Sequence, residues 1–407
     1  MEITNSRSGV HASLLISSTL LTSLIALPMS AQAIEPASVS LGPVSMIPQL
    51  TMRTGRDDNI FLTSSDEKSS AVTVINPVVQ FIAEDGANAY KLTADVRQGI
   101  YHSSQDDNYT DMQLQGDANL VFDVRNKLDL LAAYLKSHEA RGTGLTEGAN
   151  ATVNDAPIKY DEKTAGATYT YGADEAQGRI VGKLSYTVRD YTNFRSLTTS
   201  RDRDTLSTGV TFYYRVMPKT SLLFEARRTE IDYQNEVVGT SSLDSSEWKY
   251  LVGATWDATA KTTGVVKAGY AQKDFSAADR DDEGAFTWEA EVSWAPRTYS
   301  TFVLRSGQEL EESNGADNYI DTSTTSLTWD HAWDDRLKTA LAYGFTSEEY
   351  DLTSRKDDTN SFSAGVSYDL RRWLTVGMDI THAERDSNQA GFDYDNNTLV
   401  MTVQGAL

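Results

Sequence analysis

The stretch DDTNSFSAGVSYDLRRWLTVGMDITHAERD, residues 357–386, decides how the chain folds. Phe362, Ala364, Val366 and Tyr368 alternate with Ser361, Ser363, Gly365 and Ser367. Beyond a charged break at Asp369 to Arg372, Leu374, Val376, Met378 and Ile380 alternate with Thr375, Gly377, Asp379 and Thr381. A period of two specifies a strand, and two such runs joined by a tight polar turn specify a hairpin. Its apolar face can turn to a protein core, with polar residues in water, or to lipid, with polar residues lining a lumen.

The rest of the chain repeats the hairpin. Short breaks fall at Glu84–Asn88, Asp123–Lys127, Ala173–Gln177, Val216–Lys219, Asp257–Lys261, Ala295–Arg297, Ala332–Arg336 and Asp369–Arg372. Between them come longer segments rich in Asp, Asn, Ser and Gly: Gly55–Ser70, Ser103–Asn108, Arg141–Lys159, Thr192–Arg203, Gln234–Asp244, Ser276–Gly284, Glu312–Asn318, Asp351–Thr359 and Ser387–Asp393. Eight short turns and nine long loops separate eighteen strands. An even strand number with short turns at one end and long loops at the other specifies an all-β, transmembrane, antiparallel up-and-down barrel, with periplasmic turns and acidic extracellular loops. One alternating apolar face turned inward could not fill a soluble barrel of this size, because diameter grows with strand number.

Aromatic residues support the outward assignment. Phe122, Tyr171, Tyr214, Trp256, Trp294, Trp329 and Tyr368 all stand just before short turns and in phase with the apolar face. That is the position of a periplasmic-side girdle at headgroup level. The last strand, NTLVMTVQGAL from Asn397 to Leu407, is expected to close on a first strand near Val44–Thr54. It is also expected to present a C-terminal signal to outer-membrane assembly machinery, with Leu407 where such signals usually carry an aromatic.

Export is expected from the N-terminus. Leu14–Leu27 is apolar but too short to span, and Pro28 and the Ala31-Gln32-Ala33 triplet follow. Residues 1–33 therefore read as a secretory signal peptide cleaved near Ala33, leaving residues 34–407 as a single barrel domain. The chain has no cysteine, which excludes a lipid-anchoring thiol, disulfides, a thiolate metal site and a cysteine nucleophile. Its formal charge of −22 argues against nucleic acid. The carboxylates cluster in loops, as at Asp279–Glu283, where solvated residues or loose contacts with divalent cations and lipopolysaccharide are expected rather than a dedicated metal site. The negative mean hydropathy fits a wall in which every other residue is apolar.

With the phase set, the lumen is expected to receive Lys91, Asp95, Arg97, Arg179, Lys183, Arg189, Glu225, Arg227, Glu289, Glu291, Arg305 and Asp379. Both charge signs occur, so a hydrated, ion-paired lumen is one expectation and a polar track for a glycan is another. Enzyme chemistry has little support. His102, His138, His331 and His382 are scattered, His102 beside Ser103 and Ser104 being the one local grouping. No catalytic residues and no cofactor are expected.

The N-terminal strands carry a resemblance. GRDDNIFLT (Gly55–Thr63), VINPVVQF (Val74–Phe81) and YKLTADVRQGIYHSSQDDNYTD (Tyr90–Asp111) are similar to the outer-membrane β-barrel porin family found with bacterial exopolysaccharide and capsule loci. The resemblance implies a barrel in exopolysaccharide export or assembly, with outer-membrane lipid, lipopolysaccharide, polysaccharide and periplasmic export components as partners. Two other functions stay open: a general diffusion porin for small hydrophilic solutes, favoured if Arg141–Lys159 folds inward, and a surface-binding or structural barrel with a closed lumen.

Overall fold

The computed structural model describes residues 38–406 apart from 236–238, 240, 260 and 314–316. The expected signal peptide of residues 1–33 and Leu407 lie outside the described residues. A short strand β1 (Val39–Leu41) pairs with the start of β2 (Val44–Asp57). From there the chain runs up and down through β3 (Ser70–Asp85), β4 (Asn88–Tyr101), β5 (Tyr109–Val121), β6 (Asn126–Glu139), β7 (Ile158–Tyr171), β8 (Gly178–Tyr191), β9 (Arg203–Met217) and β10 (Thr220–Tyr233). It continues through β11 (Ser245–Thr259), β12 (Thr262–Phe275), β13 (Glu283–Arg297), β14 (Ser300–Glu312), β15 (Tyr319–Ala332), β16 (Leu337–Tyr350), β17 (Lys356–Arg371), β18 (Leu374–Ser387) and β19 (Tyr394–Ala406). Each strand pairs antiparallel with the next, and β19 pairs with β2 from Thr398↔Asp57 to Ala406↔Gln49. The result is a closed barrel of eighteen strands, β2 to β19.

Exposure settles the face question raised by residues 357–386. Phe362, Met378, Ile380, Leu399 and Met401 are exposed, whereas Ser367, Thr381 and Thr398 are buried. The barrel is apolar outside and polar inside. Polar groups on the inner face pair across strands, as in Ser363 with Thr381 at 2.9 Å and Thr164 with Thr187 at 3.0 Å.

The turns are built by short side chains. Asp123 Oδ1 accepts from the Arg125 N–H at 2.7 Å and the Asn126 N–H at 3.0 Å, and Asp334 does the same for Arg336 and Leu337. These backbone donors hold both carboxyls below the usual carboxylate range. Several boundaries differ from the sequence expectation: β2 runs on to Asp57, β11 to Thr259 and β17 to Arg371. β13 runs through Ala295–Arg297, past an irregularity in register after Trp294, so the turn is at Thr298 and Tyr299. β17 starts at Lys356, because Lys356–Thr359 pairs in register with Thr346–Glu349 of β16 and only residues 351–355 remain as the loop.

The paired ladder between β13 and β14 stops at Glu289↔Gly307. Further towards the loops, Thr287 Oγ1 donates to the Gln308 carbonyl at 2.6 Å, and Glu312 of β14 contacts Lys273 of β12.

Ala364→Arg on the outer face, well inside the girdle marked by Tyr368, will cost about 2–4 kcal/mol near the bilayer midplane. Gly365→Arg, one residue away on the inner face and paired with Asp379, will cost less than about 1 kcal/mol. Denaturant unfolding of both variants in lipid vesicles measures the difference.

Candidate functional site

The inner face forms a lumen that changes character along its length. In the half nearer the turns, ion pairs are hydrated: Lys91 with Asp117 at 3.5 Å, and Arg305 with Glu291 at 3.1 Å, the latter side chains about half exposed at 53% and 46%. Deeper in, Glu225 and Arg227 of β10, Lys267 of β12 and Glu289 of β13 form one network. Arg227 donates to Glu289 at 3.0 Å and to Glu225, and Lys267 reaches Glu225 at 3.1 Å and Glu289 at 2.8 Å. Lys183 also stands on the inner phase of β8 in this half and is exposed.

Towards the loops the pairs become dry. Arg189 of β8 donates to Glu162 of β7 at 2.7 Å and stacks over Tyr160 at 4.6 Å, and both members of the pair are buried. Lys249 pairs with Glu247 at 3.1 Å, and Lys273 with Glu312, which also accepts from the Tyr233 hydroxyl at 2.5 Å. Buried Leu251, Ala271 and Ile320 share this region of the strands.

The mouth is crossed by residues 140–157, between β6 and β7. The segment contains two 3-10 turns, Gly144–Thr146 and Gly148–Thr152. At its base, Arg141 Nε donates to Asp107 at 2.6 Å, its Nη1 donates to the Asn154 carbonyl at 3.1 Å, and its guanidinium stacks on Phe61 at 4.2 Å. At its tip, buried Glu147 accepts from Arg355 at 3.0 Å and from Arg385 at 3.2 Å. Arg355 lies before β17 and Arg385 on β18. Six strands, β18, β19, β2, β3, β4 and β5, separate β6 from β17 by the shorter way round the wall. At about 4.8 Å per strand, that is roughly 30 Å of wall, so Glu147 reaches far from the root of its own loop.

Two glycines permit this path. Gly142 has φ +87, and a Cβ there would lie 1.9 Å from the Phe61 carbonyl oxygen. Gly148 has φ +58, and its Cβ would lie 2.7 Å from the Gly391 carbonyl oxygen.

The tip is tightly held. Arg355 is clasped by Asp357 and lies over the rings of Phe392 at 3.7 Å and Tyr350 at 4.4 Å. Burial disfavours its charge, but Asp357 and Glu147 outweigh burial and raise its pKa. Arg385 also reaches Glu348 at 3.5 Å and Asp357 at 3.6 Å, and lies over Tyr394 at 5.1 Å.

The structure places the expected lumen residues in several settings. Arg189, Glu225, Arg227, Glu289, Glu291, Arg305 and Lys91 are in the ion pairs above. Asp95 accepts from Asn76 at 2.9 Å, and Arg179 sits at the turn rim, 3.9 Å from Asp174 and stacked on Tyr213 at 4.6 Å. Asp379 and Arg97 stand near Arg53 on the inner side. Sequence periodicity passed over Arg53, although its position between exposed Met52 and Thr54 marks it. It also passed over Glu147, Arg355 and Arg385 as a set, because they are far apart in the chain.

On the outer face Phe122, Tyr171, Tyr214, Trp294 and Tyr368 are exposed, and Trp256 and Trp329 are partly so. Trp294, Phe302 and Trp329 form a stack at 5.3 and 6.0 Å that continues to His331 and Trp333. His102 lies 3.0 Å from Thr73 Oγ1, and His138 pairs with Asp111 at 2.9 Å and stacks on Tyr109 at 4.0 Å.

Residues 32–407 match the family described as "Putative beta-barrel porin 2". The chain belongs to this family. Its barrel fold and family point to the outer membrane. Solved structures share the fold at low identity. Pseudomonas aeruginosa OpdK with vanillate is 10% identical with a TM-score of 0.50, over 89% of this chain and 99% of that one. Acinetobacter baumannii OccAB4 is 9% identical with a TM-score of 0.48, over 89% and 98%. The FrpB iron transporter from Neisseria meningitidis is 10% identical with a TM-score of 0.48, and this chain spans only 61% of its length. A search of curated proteins finds no match.

Because Arg189 and Glu162 are both buried, Arg189→Ala will leave a buried carboxylate without its main partner and destabilise the barrel by about 3–5 kcal/mol. Urea unfolding followed by tryptophan fluorescence measures the loss.

Proposed function

We propose that this barrel is a restricted diffusion channel for small hydrophilic solutes, with the segment between β6 and β7 as its constriction. The observation that carries this is the contact of Glu147 with Arg355 and Arg385 across the mouth. A segment held there would obstruct a wide polymer while admitting small molecules. The hydrated half of the lumen offers donors and acceptors of both signs, locally paired. Such a surface suits neutral or zwitterionic solutes and gives weak ion selectivity.

Export of exopolysaccharide, which the family resemblance implies, would require the segment to leave the mouth. The same protein, reconstituted, separates the two roles. Deleting Thr143–Asn154 will raise the rate at which small sugars enter proteoliposomes and will raise the size limit for entry. If deletion leaves both unchanged, the constriction is elsewhere. If the intact barrel passes long glycans as readily as small sugars, the restricted-channel function is wrong.

A further inference from the structure

Outside the lumen, one group of metal-ligating side chains stands out. His382 and Glu384 of β18 and Asp395 of β19 are exposed on the outer face and offer ligand atoms that all lie within 4.8 Å of one another. The strand register brings them together, since Glu384 pairs with Asp395 and His382 with Asn397. Directly towards the turns on the same face lie Ile380, Leu399 and Met401, all exposed apolar residues. The group therefore sits just beyond the lipid-facing band, on the loop side.

Two independent observations point to a cation. The first is charge. Glu384 and Asp395 face each other across adjacent strands, an arrangement that is destabilising for like charges. Among the described residues, neither has a Lys or Arg ion-pair partner.

The second is the state of the histidine. Asn397 Nδ2 donates to Asp58 Oδ2 at 2.9 Å, and the Asn397 N–H donates to Asp58 Oδ1 at 2.7 Å. With its amide nitrogen committed, Asn397 turns its Oδ1 to His382 Nδ1 at 2.9 Å, and that oxygen can only accept. In the neutral ring this bond places the proton on Nδ1 and leaves the Nε2 lone pair for a metal. A hydrogen bond from the far nitrogen, itself backed by a carboxylate, is how proteins orient a metal-binding imidazole.

We propose that His382, Glu384 and Asp395 form a divalent transition-metal site of the zinc class on the outer rim of the barrel. One imidazole nitrogen and two carboxylate oxygens suit zinc, whereas magnesium and calcium favour oxygen ligands alone. Three protein ligands leave further coordination positions open to the surroundings of the barrel. The chain order hides the site, because twelve residues lie between His382 and Asp395 and only the hairpin register unites them.

The test is isothermal titration of zinc chloride into untagged, refolded, EDTA-washed protein in detergent, with folding checked by heat-dependent gel mobility. The expected result is one saturable site per barrel that millimolar magnesium does not displace. His382→Ala will abolish it, and Asn397→Ala, which touches no metal, will weaken it by about 10–100-fold. All of these residues are on the surface, so the variants keep the folded mobility. Absence of saturable binding to the wild-type barrel overturns the proposal, as does binding that survives His382→Ala. Displacement by magnesium at similar concentrations overturns the assignment to zinc-class ions.

Discussion

Closure of the backbone hydrogen-bond ladder governs everything else in this molecule. In lipid an unpaired N–H or C=O has no water to turn to, so a sheet can cross a membrane only if its last strand pairs with its first. Here β19 meets β2 from Thr398↔Asp57 to Ala406↔Gln49. Gly55 lies at that seam, where a Cβ would come within 2.2 Å of the Leu399 carbonyl oxygen, so a residue without a side chain permits the close approach. Once the ring is closed, the pleat sends alternate side chains to lipid and to the lumen, and the composition of the two faces follows.

Closing eighteen strands leaves an interior too wide for one layer of side chains, and the chain resolves this differently at its two ends. Near the turns, charged residues reach into water, as Arg305 and Glu291 do. Near the loops, ion pairs such as Arg189 with Glu162 are buried, and the segment containing Glu147 is tethered across the mouth. Buried pairs of this kind add little net stability but strongly penalise arrangements in which a partner is missing. They therefore hold the mouth segment in one place, which is the requirement for a constriction with a defined size.

Much of the architecture was legible in the sequence for a simple reason. A barrel wall depends on a local period of two and on turn residues such as Asp123 and Asp334, both visible in a short window. The inner and outer phases of Phe362, Ser363, Met378 and Asp379 could be assigned the same way. The mouth could not. Glu147 is 208 residues from Arg355 and 238 from Arg385, and nothing in either neighbourhood announces the other. The length of Arg141–Lys159 and its glycines identified the segment, but its partners depend on the curvature of the closed wall. Boundaries slipped where a charged run such as Lys356–Thr359 continued a ladder although its composition resembles a loop.

On the proposed function, the Glu147 tether sets the width of the pore. Single-channel recording of Glu147→Ala beside the wild-type protein in planar bilayers tests it most directly. Arg355 retains Asp357, and Arg385 retains Glu348 and Asp357, so the substitution cuts the tether and leaves the wall paired. A larger and noisier conductance than wild type is the predicted result. Identical, quiet conductance in the two proteins would show that the tether does not set the width.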